Sequence, residues 1–193
     1  SMFSLDDKTM WYLIRASGLV TWALSAATIV YGLLLSSKLL TIPRVGPRLR
    51  SVHNYLTALT VAFLAAHLVT LVADNYMEFG WREILLPQAS SYERVGVTWG
   101  VISLYAFVVV IATSLVKKKL PKKVWHRLHL VSFVAFIAAS VHAFTAGTDV
   151  KYSVIRWLGL ALTVAIIFPL VYRLSTARNK KVSRVRTGAV TSK

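Results

Sequence analysis

The sequence predicts an all-α integral membrane protein, a helical bundle with about five transmembrane helices. Apolar residues make up 56% of the chain and the mean hydropathy is +0.60, whereas only 16% of the residues are charged. The apolar residues occur in runs of about 20, the length that a helix needs to cross a hydrocarbon core of about 30 Å. The alternation expected of a barrel strand is absent, and a helix satisfies its own backbone groups in lipid.

Five apolar runs follow one another along the chain, with proline or glycine between them. Pro43 and Pro47, Pro87, Pro121 and Gly147 separate successive runs, and a proline ends or kinks a helix. We therefore expect a short external N-terminus at 1–10, a transmembrane domain at 11–172 and a basic tail at 173–193. The predicted helices cover residues 11–35, 52–73, 95–116, 124–144 and 154–172.

The distribution of charge predicts the orientation of the chain. Of the 23 basic residues, 17 lie in the loop after the first run, the loop after the third run and the tail, while all seven acids lie in the other segments. Lysine and arginine mark the cytoplasmic side. We therefore expect the N-terminus outside, the C-terminus in the cytoplasm, and a multi-pass cell-membrane protein of the bacterial inner-membrane type.

The net charge of +16 is then explained by topology and by attraction to anionic lipids, and no soluble basic face is predicted that would bind nucleic acid. The chain has no cysteine, which excludes disulfides, iron–sulfur clusters and thioether-attached haem. The oligomeric state is left open.

The five histidines lie in only two of the runs. His53 and His67 are in the second run, and His126, His129 and His142 are in the fourth. Ionisable side chains within a bilayer are costly, so each one suggests a function. His53 and His67 are 14 residues apart, about 21 Å along a helix, and His129 and His142 are 13 apart, about 20 Å.

Since the second and fourth helices run in the same direction, the spacing predicts two depth-matched pairs. We name them, by the predicted orientation, the inner pair (His53 and His129) and the outer pair (His67 and His142). Two facing imidazoles can hold a six-coordinate haem iron. Two b-type haems stacked across the bilayer would form an electron path.

Helical geometry fits the fourth run less well. Thirteen residues leave His142 about 140° from His129 on an ideal helix, so this helix must be tightened, kinked or tilted. His126 shares a face with His129 and is an alternative inner ligand, although an interfacial position is expected for it. The alternative to metal ligation is that the histidines join helices by hydrogen bonds. A zinc site is not favoured, because the sequence offers no three clustered ligands.

Three arginines and two glycines are candidate supporting residues. Arg15 is placed to pair with an outer haem propionate or to reach the interface, and Arg50 and Arg127 to hold inner propionates or to supply topology charge. Gly96 and Gly100 are compatible with a close approach of two helices.

The histidine pattern resembles the ferric reductase-like transmembrane domain superfamily, which includes NADPH oxidases, ferric reductases and the membrane subunit of the bacterial methionine sulfoxide reductase system. The resemblance covers about residues 11–172. It implies that His53 and His129 bind the inner haem and that His67 and His142 bind the outer one. It rests on His53-(x13)-His67, the segment Trp125-His126-Arg127-Leu128-His129-(x12)-His142, the acid-rich outer loop and the opening segment 11–18.

The flavin and nicotinamide domains of larger relatives have no counterpart after residue 172, so we expect a solitary membrane core. Its electrons would come from a separate flavoprotein, a quinol or a bound flavin, the last without support from the sequence. We expect an oxidoreductase component that passes electrons to an extracytoplasmic acceptor: a ferric chelate, oxygen or an exported redox protein. The alternatives are a membrane transporter or proton channel, and a cofactor-free structural subunit.

Overall fold

The helices of the computed structural model follow the predicted apolar runs. The structure describes residues 7–36, 44–74, 79–154, 156–157, 159–168 and 171. Its α-helices are α1 (Asp7–Leu35), α2 (Val45–Ala73), α3 (Trp81–Leu85), α4 (Arg94–Leu115), α5 (Lys122–His129), α6 (Val131–Ala146) and α7 (Gly159–Phe168), and 3-10 turns occupy Lys117–Lys119 and Thr148–Lys151.

Four segments are long and apolar enough to cross a membrane, which confirms the predicted helical membrane bundle. They are α1, α2, α4 and the continuous stretch Lys122–Ala146, which combines α5 and α6. At most 22% of the apolar window of any of these segments is buried, so most of their residues are wholly or partly exposed at the surface of the bundle. The helix α7 lies within the predicted fifth run, and its crossing of the bilayer stays a prediction.

The packing divides the bundle into two hairpins. Helix α1 packs along α2, and α4 packs along α6, while α1 also contacts α6. Close packing of α2 on α6 is absent from the described part of the chain. The hairpins meet around a core of Ala26 and Ile29 from α1, Phe136 from α6 and Ile166 from α7. Trp22 strengthens this contact by stacking on Phe136 and donating its indole N–H to the Ser140 hydroxyl at 3.0 Å.

Three local features add detail to the sequence-based expectation or depart from it. The fourth run is interrupted at Leu130, where the Phe133 amide donates to the Leu130 carbonyl across a tight turn. Pro47 lies in the first turn of α2 instead of before it, a position that costs no helical hydrogen bond. The short helix α3 was not predicted, because five residues carry no readable helical period.

The predicted terminal segments fall mostly outside the described residues. Residues 1–6 of the external N-terminus and the tail 173–193 are in this category, and residues 7–10 belong to α1.

Candidate functional site

The structure brings His53 of α2 beside His129 of α5. Their ring centroids are 6.3 Å apart and the ring planes are inclined by 66°. An imidazole nitrogen binds a transition metal at about 2 Å. Two imidazoles on opposite sides of one iron would therefore have centroids roughly 6 Å apart, since each centroid lies a little over an ångström behind its nitrogen. The spacing of the inner pair suits a shared metal and is too long for a direct hydrogen bond between the rings.

His67 of α2 and His142 of α6 are neighbours further along the same helices, without a ring contact like that of His53 and His129 among the described residues. They are close enough for their imidazoles to interact electrostatically. The residue early in α2 therefore meets the residue in α5, and the residue late in α2 meets the residue late in α6. This order of contacts makes α2 parallel to the α5–α6 segment.

Three of the four imidazoles are anchored by a backbone carbonyl on the neighbouring helix of the same hairpin. His53 Nδ1 is 3.0 Å from the Thr28 carbonyl, His67 Nδ1 is 3.0 Å from the Ile14 carbonyl, and His142 Nδ1 is 2.9 Å from the Gly96 carbonyl. A carbonyl oxygen only accepts, so Nδ1 carries the proton and donates it. In the neutral ring Nε2 then has a free lone pair, which is the form that binds a metal.

Glycines make room for these rings. A Cβ on Gly100 would lie 2.8 Å from His142 Nδ1, and one on Gly18 would lie 3.0 Å from His67 Cε1. A Cβ on Gly32 would lie 3.4 Å from His53 Cε1. Helices α1 and α4 therefore approach the histidines closely because side chains are missing at these positions. Neither Gly18 nor Gly32 was predicted from the sequence to face a histidine, although their 14-residue spacing equals that of His53 and His67.

The surroundings of His129 differ from those of the other three. Its Nδ1 is 3.5 Å from the Ser114 hydroxyl, and Trp125 stacks on its ring with centroids 5.2 Å apart. The Trp125 indole N–H is buried, with no hydrogen-bond partner among the described residues. Trp125 belongs to the segment on which the resemblance rests, and its contact with His129 was not predicted from the sequence. His126 is exposed, and its interfacial position stays a prediction.

The arginines occupy different environments. Arg15 forms a bidentate ion pair with Asp149 and lies 4.0 Å from the centroid of the Trp11 ring, so its guanidinium already has a protein partner. Arg50 and Arg127 are exposed, and neither has an ion pair with a described residue. The propionate contacts of all three stay predictions.

No group of three or more histidine, aspartate or glutamate side chains converges on a common point within the described ranges. A bis-imidazole haem needs only two protein ligands, because the porphyrin supplies the other four.

The fold and these contacts define a polytopic helical membrane protein with histidine pairs between its helices. The family model described as "Ferric reductase like transmembrane component" matches residues 17–140, and the chain belongs to this family. The family supports a transmembrane redox role in general terms. The match includes His53, His67 and His129, and it ends two residues before His142. Comparisons with curated proteins and with solved structures gave no match.

Proposed function

We propose that this protein is a membrane electron-transfer subunit in which the inner and outer pairs are the axial ligands of two b-type haems. Each haem, when bound, would supply a one-electron carrier at its own depth in the bilayer. The observation that carries the proposal is the 6.3 Å separation of the His53 and His129 rings, the spacing expected for two imidazoles on one iron.

Three further observations support haem as the bound group. Anchored Nδ1 atoms leave Nε2 of His53, His67 and His142 available as ligands. The absence of close α2–α6 packing within the described part of the bundle permits a flat macrocycle between these helices. The buried Trp125 N–H beside the inner pair is a donor in need of an acceptor, and a haem propionate is a suitable one.

The ligand set also limits the chemistry. With histidine on both axial positions there is no free coordination site, so an external acceptor would be reduced through the edge of the macrocycle. The donor is proposed to be a separate flavoprotein or a quinol. The acceptor is proposed to lie on the outer side, in the multi-pass topology predicted from the charges.

The absorption spectrum of the purified protein tests this proposal. We expect a red preparation that holds two haems per chain and gives a bis-imidazole b-type spectrum after reduction with dithionite. A colourless protein from cells supplied with a haem precursor would overturn the proposal and favour a proton channel or a cofactor-free subunit.

The ligand assignment is tested by replacing one histidine at a time. His67→Ala and His142→Ala should each remove the outer haem and leave one haem per chain, because each removes one of its two protein ligands. The double variant His53→Ala/His67→Ala should bind none. His126→Ala is the matched control, since His126 is exposed, and it should keep both haems. Two haems in the His142→Ala protein would contradict the assignment.

A further inference from the structure

In all three cases the carbonyl that accepts the hydrogen bond from an imidazole has the same sequence position relative to the glycine beside that imidazole. Each acceptor lies four residues before the glycine that faces the same ring: Ile14 before Gly18, Thr28 before Gly32, and Gly96 before Gly100. In an α-helix the side chain of one residue leans toward the N-terminus, over the carbonyl four residues earlier. A glycine therefore uncovers that carbonyl on the side from which the imidazole approaches.

The same arrangement occurs in both hairpins, with one exception. Gly18 and Gly32 are 14 residues apart on α1, and the residue 14 positions after Gly100 on α4 is Ser114. Ser114 faces His129 as the glycines face the other histidines, but it carries a side chain. Its hydroxyl is 3.5 Å from His129 Nδ1, at the limit of a hydrogen bond, and Val110 occupies the position that the carbonyl acceptor has at the other three sites.

We propose that the residue facing each histidine is a positioning residue, and that Ser114 makes the inner pair chemically unequal. Three glycines let a carbonyl hold Nδ1, whereas at the fourth position the Val110 carbonyl accepts from the Thr113 hydroxyl at 3.2 Å and His129 Nδ1 has the weak Ser114 hydroxyl contact instead. A strong hydrogen bond from Nδ1 makes an imidazole a more basic ligand, which stabilises ferric iron and lowers the reduction potential. This inference rests on the proposed haem ligation and adds the control of each site by its neighbouring helix.

Haem content measures the role of the glycines. Gly100→Ala would place a Cβ 2.8 Å from His142 Nδ1, so we expect loss of the outer haem. Gly32→Ala should lose less haem, because its Cβ would meet His53 at an ordinary contact distance of 3.4 Å. Gly159→Ala is the matched control: its Cβ would come equally close, 2.8 Å, but to the Phe144 ring. Equal loss in the Gly159→Ala and Gly100→Ala proteins would reduce the effect to general packing damage and overturn the inference.

A potentiometric titration measures the role of Ser114. Ser114→Gly should let the Val110 carbonyl accept from His129 Nδ1 and lower the midpoint potential of one haem while the other is unchanged. Ser114→Ala keeps the Cβ and should not lower either potential. Ala112→Gly controls for glycine in this part of α4, because Ala112 is exposed and contacts no histidine. Potentials that are unchanged in the Ser114→Gly protein, or that move together for both haems, would overturn the inference.

The two proposals fail in different ways. A wild-type protein that binds no haem would overturn the proposed function itself. A wild-type chain with two haems, combined with either contrary result above, would remove only the positioning role of α1 and α4.

Discussion

A single ion pair joins the beginning of α1 to the 3-10 turn after α6. Arg15 donates to both carboxylate oxygens of Asp149, and its guanidinium also lies over the Trp11 ring. The two side chains are only 18% and 10% exposed, so the pair is shielded from water more than a surface salt bridge. A bidentate arginine–carboxylate contact in such a position fixes geometry as well as adding energy.

Asp149→Asn should destabilise the protein, because it leaves the Arg15 charge half-buried without its counter-ion. We expect a loss of about 1–3 kcal/mol, the cost of leaving a buried polar group without its partner. Thermal unfolding in detergent measures this loss of stability. Lys151→Gln is the control, because it also replaces a charged group by an amide, at an exposed position nearby in the chain. An Asp149→Asn protein as stable as the control would show that the pair contributes nothing measurable.

The histidines are easier to predict from the sequence than the residues that contact them. An imidazole within an apolar run is rare and costly, so His53, His67, His129 and His142 can be found from composition and spacing. Gly18 and Gly32 cannot be found in that way, since glycine is common in membrane helices. Arg15 was expected to reach a propionate or the interface, and its partner Asp149 lies 134 residues away, beyond any local pattern.

Among the elements, the interrupted fourth run matters most for the site. On an ideal helix His129 and His142 would face different directions. The structure ends α5 at His129 and starts α6 at Val131, with a tight turn at Leu130 between the two histidines, which is where a local departure from the ideal helix occurs. The need for a local change could be predicted from the 13-residue spacing. Its location at Leu130 could not, because no proline or glycine marks it.

Inserting one alanine between Ala138 and Ala139 should therefore remove the outer haem alone. The insertion would rotate His142 by about 100° away from its partner and leave His129, on the other side of the break, unaffected. The haem-to-protein ratio should fall from two to one. An alanine inserted between Ala143 and Phe144 is the control, because it follows His142, and a ratio of one in that protein as well would contradict the explanation by register.

For the whole molecule, orientation is the expectation on which the direction of electron flow depends. The segment after α4 carries Lys117, Lys118 and Lys119, and the opposite loops carry the acids. The helical bundle itself could be predicted from apolar runs of membrane length. Its two-hairpin packing could not, since hydropathy reports the number of spans and says nothing of which helices contact one another.

The absence of cysteine makes the orientation directly measurable. Ser91→Cys and Lys118→Cys each introduce one thiol at an exposed position, at opposite ends of α4. In intact cells a membrane-impermeant maleimide should label the Ser91→Cys protein and not the Lys118→Cys protein, and permeabilised cells should label both. Labelling of Lys118→Cys alone in intact cells would reverse the predicted topology and with it the proposed direction of electron transfer.

The division into two hairpins has a consequence for assembly. Each histidine pair takes one residue from each hairpin, so every bound haem would act as a cross-link between halves that otherwise meet mainly through α1, α6 and α7. By mass action, a ligand that binds only the joined form raises the stability of that form with its free concentration. The temperature at which the hairpins separate should therefore rise with haem supply, and maturation of the fold and loading of the cofactor would be one event.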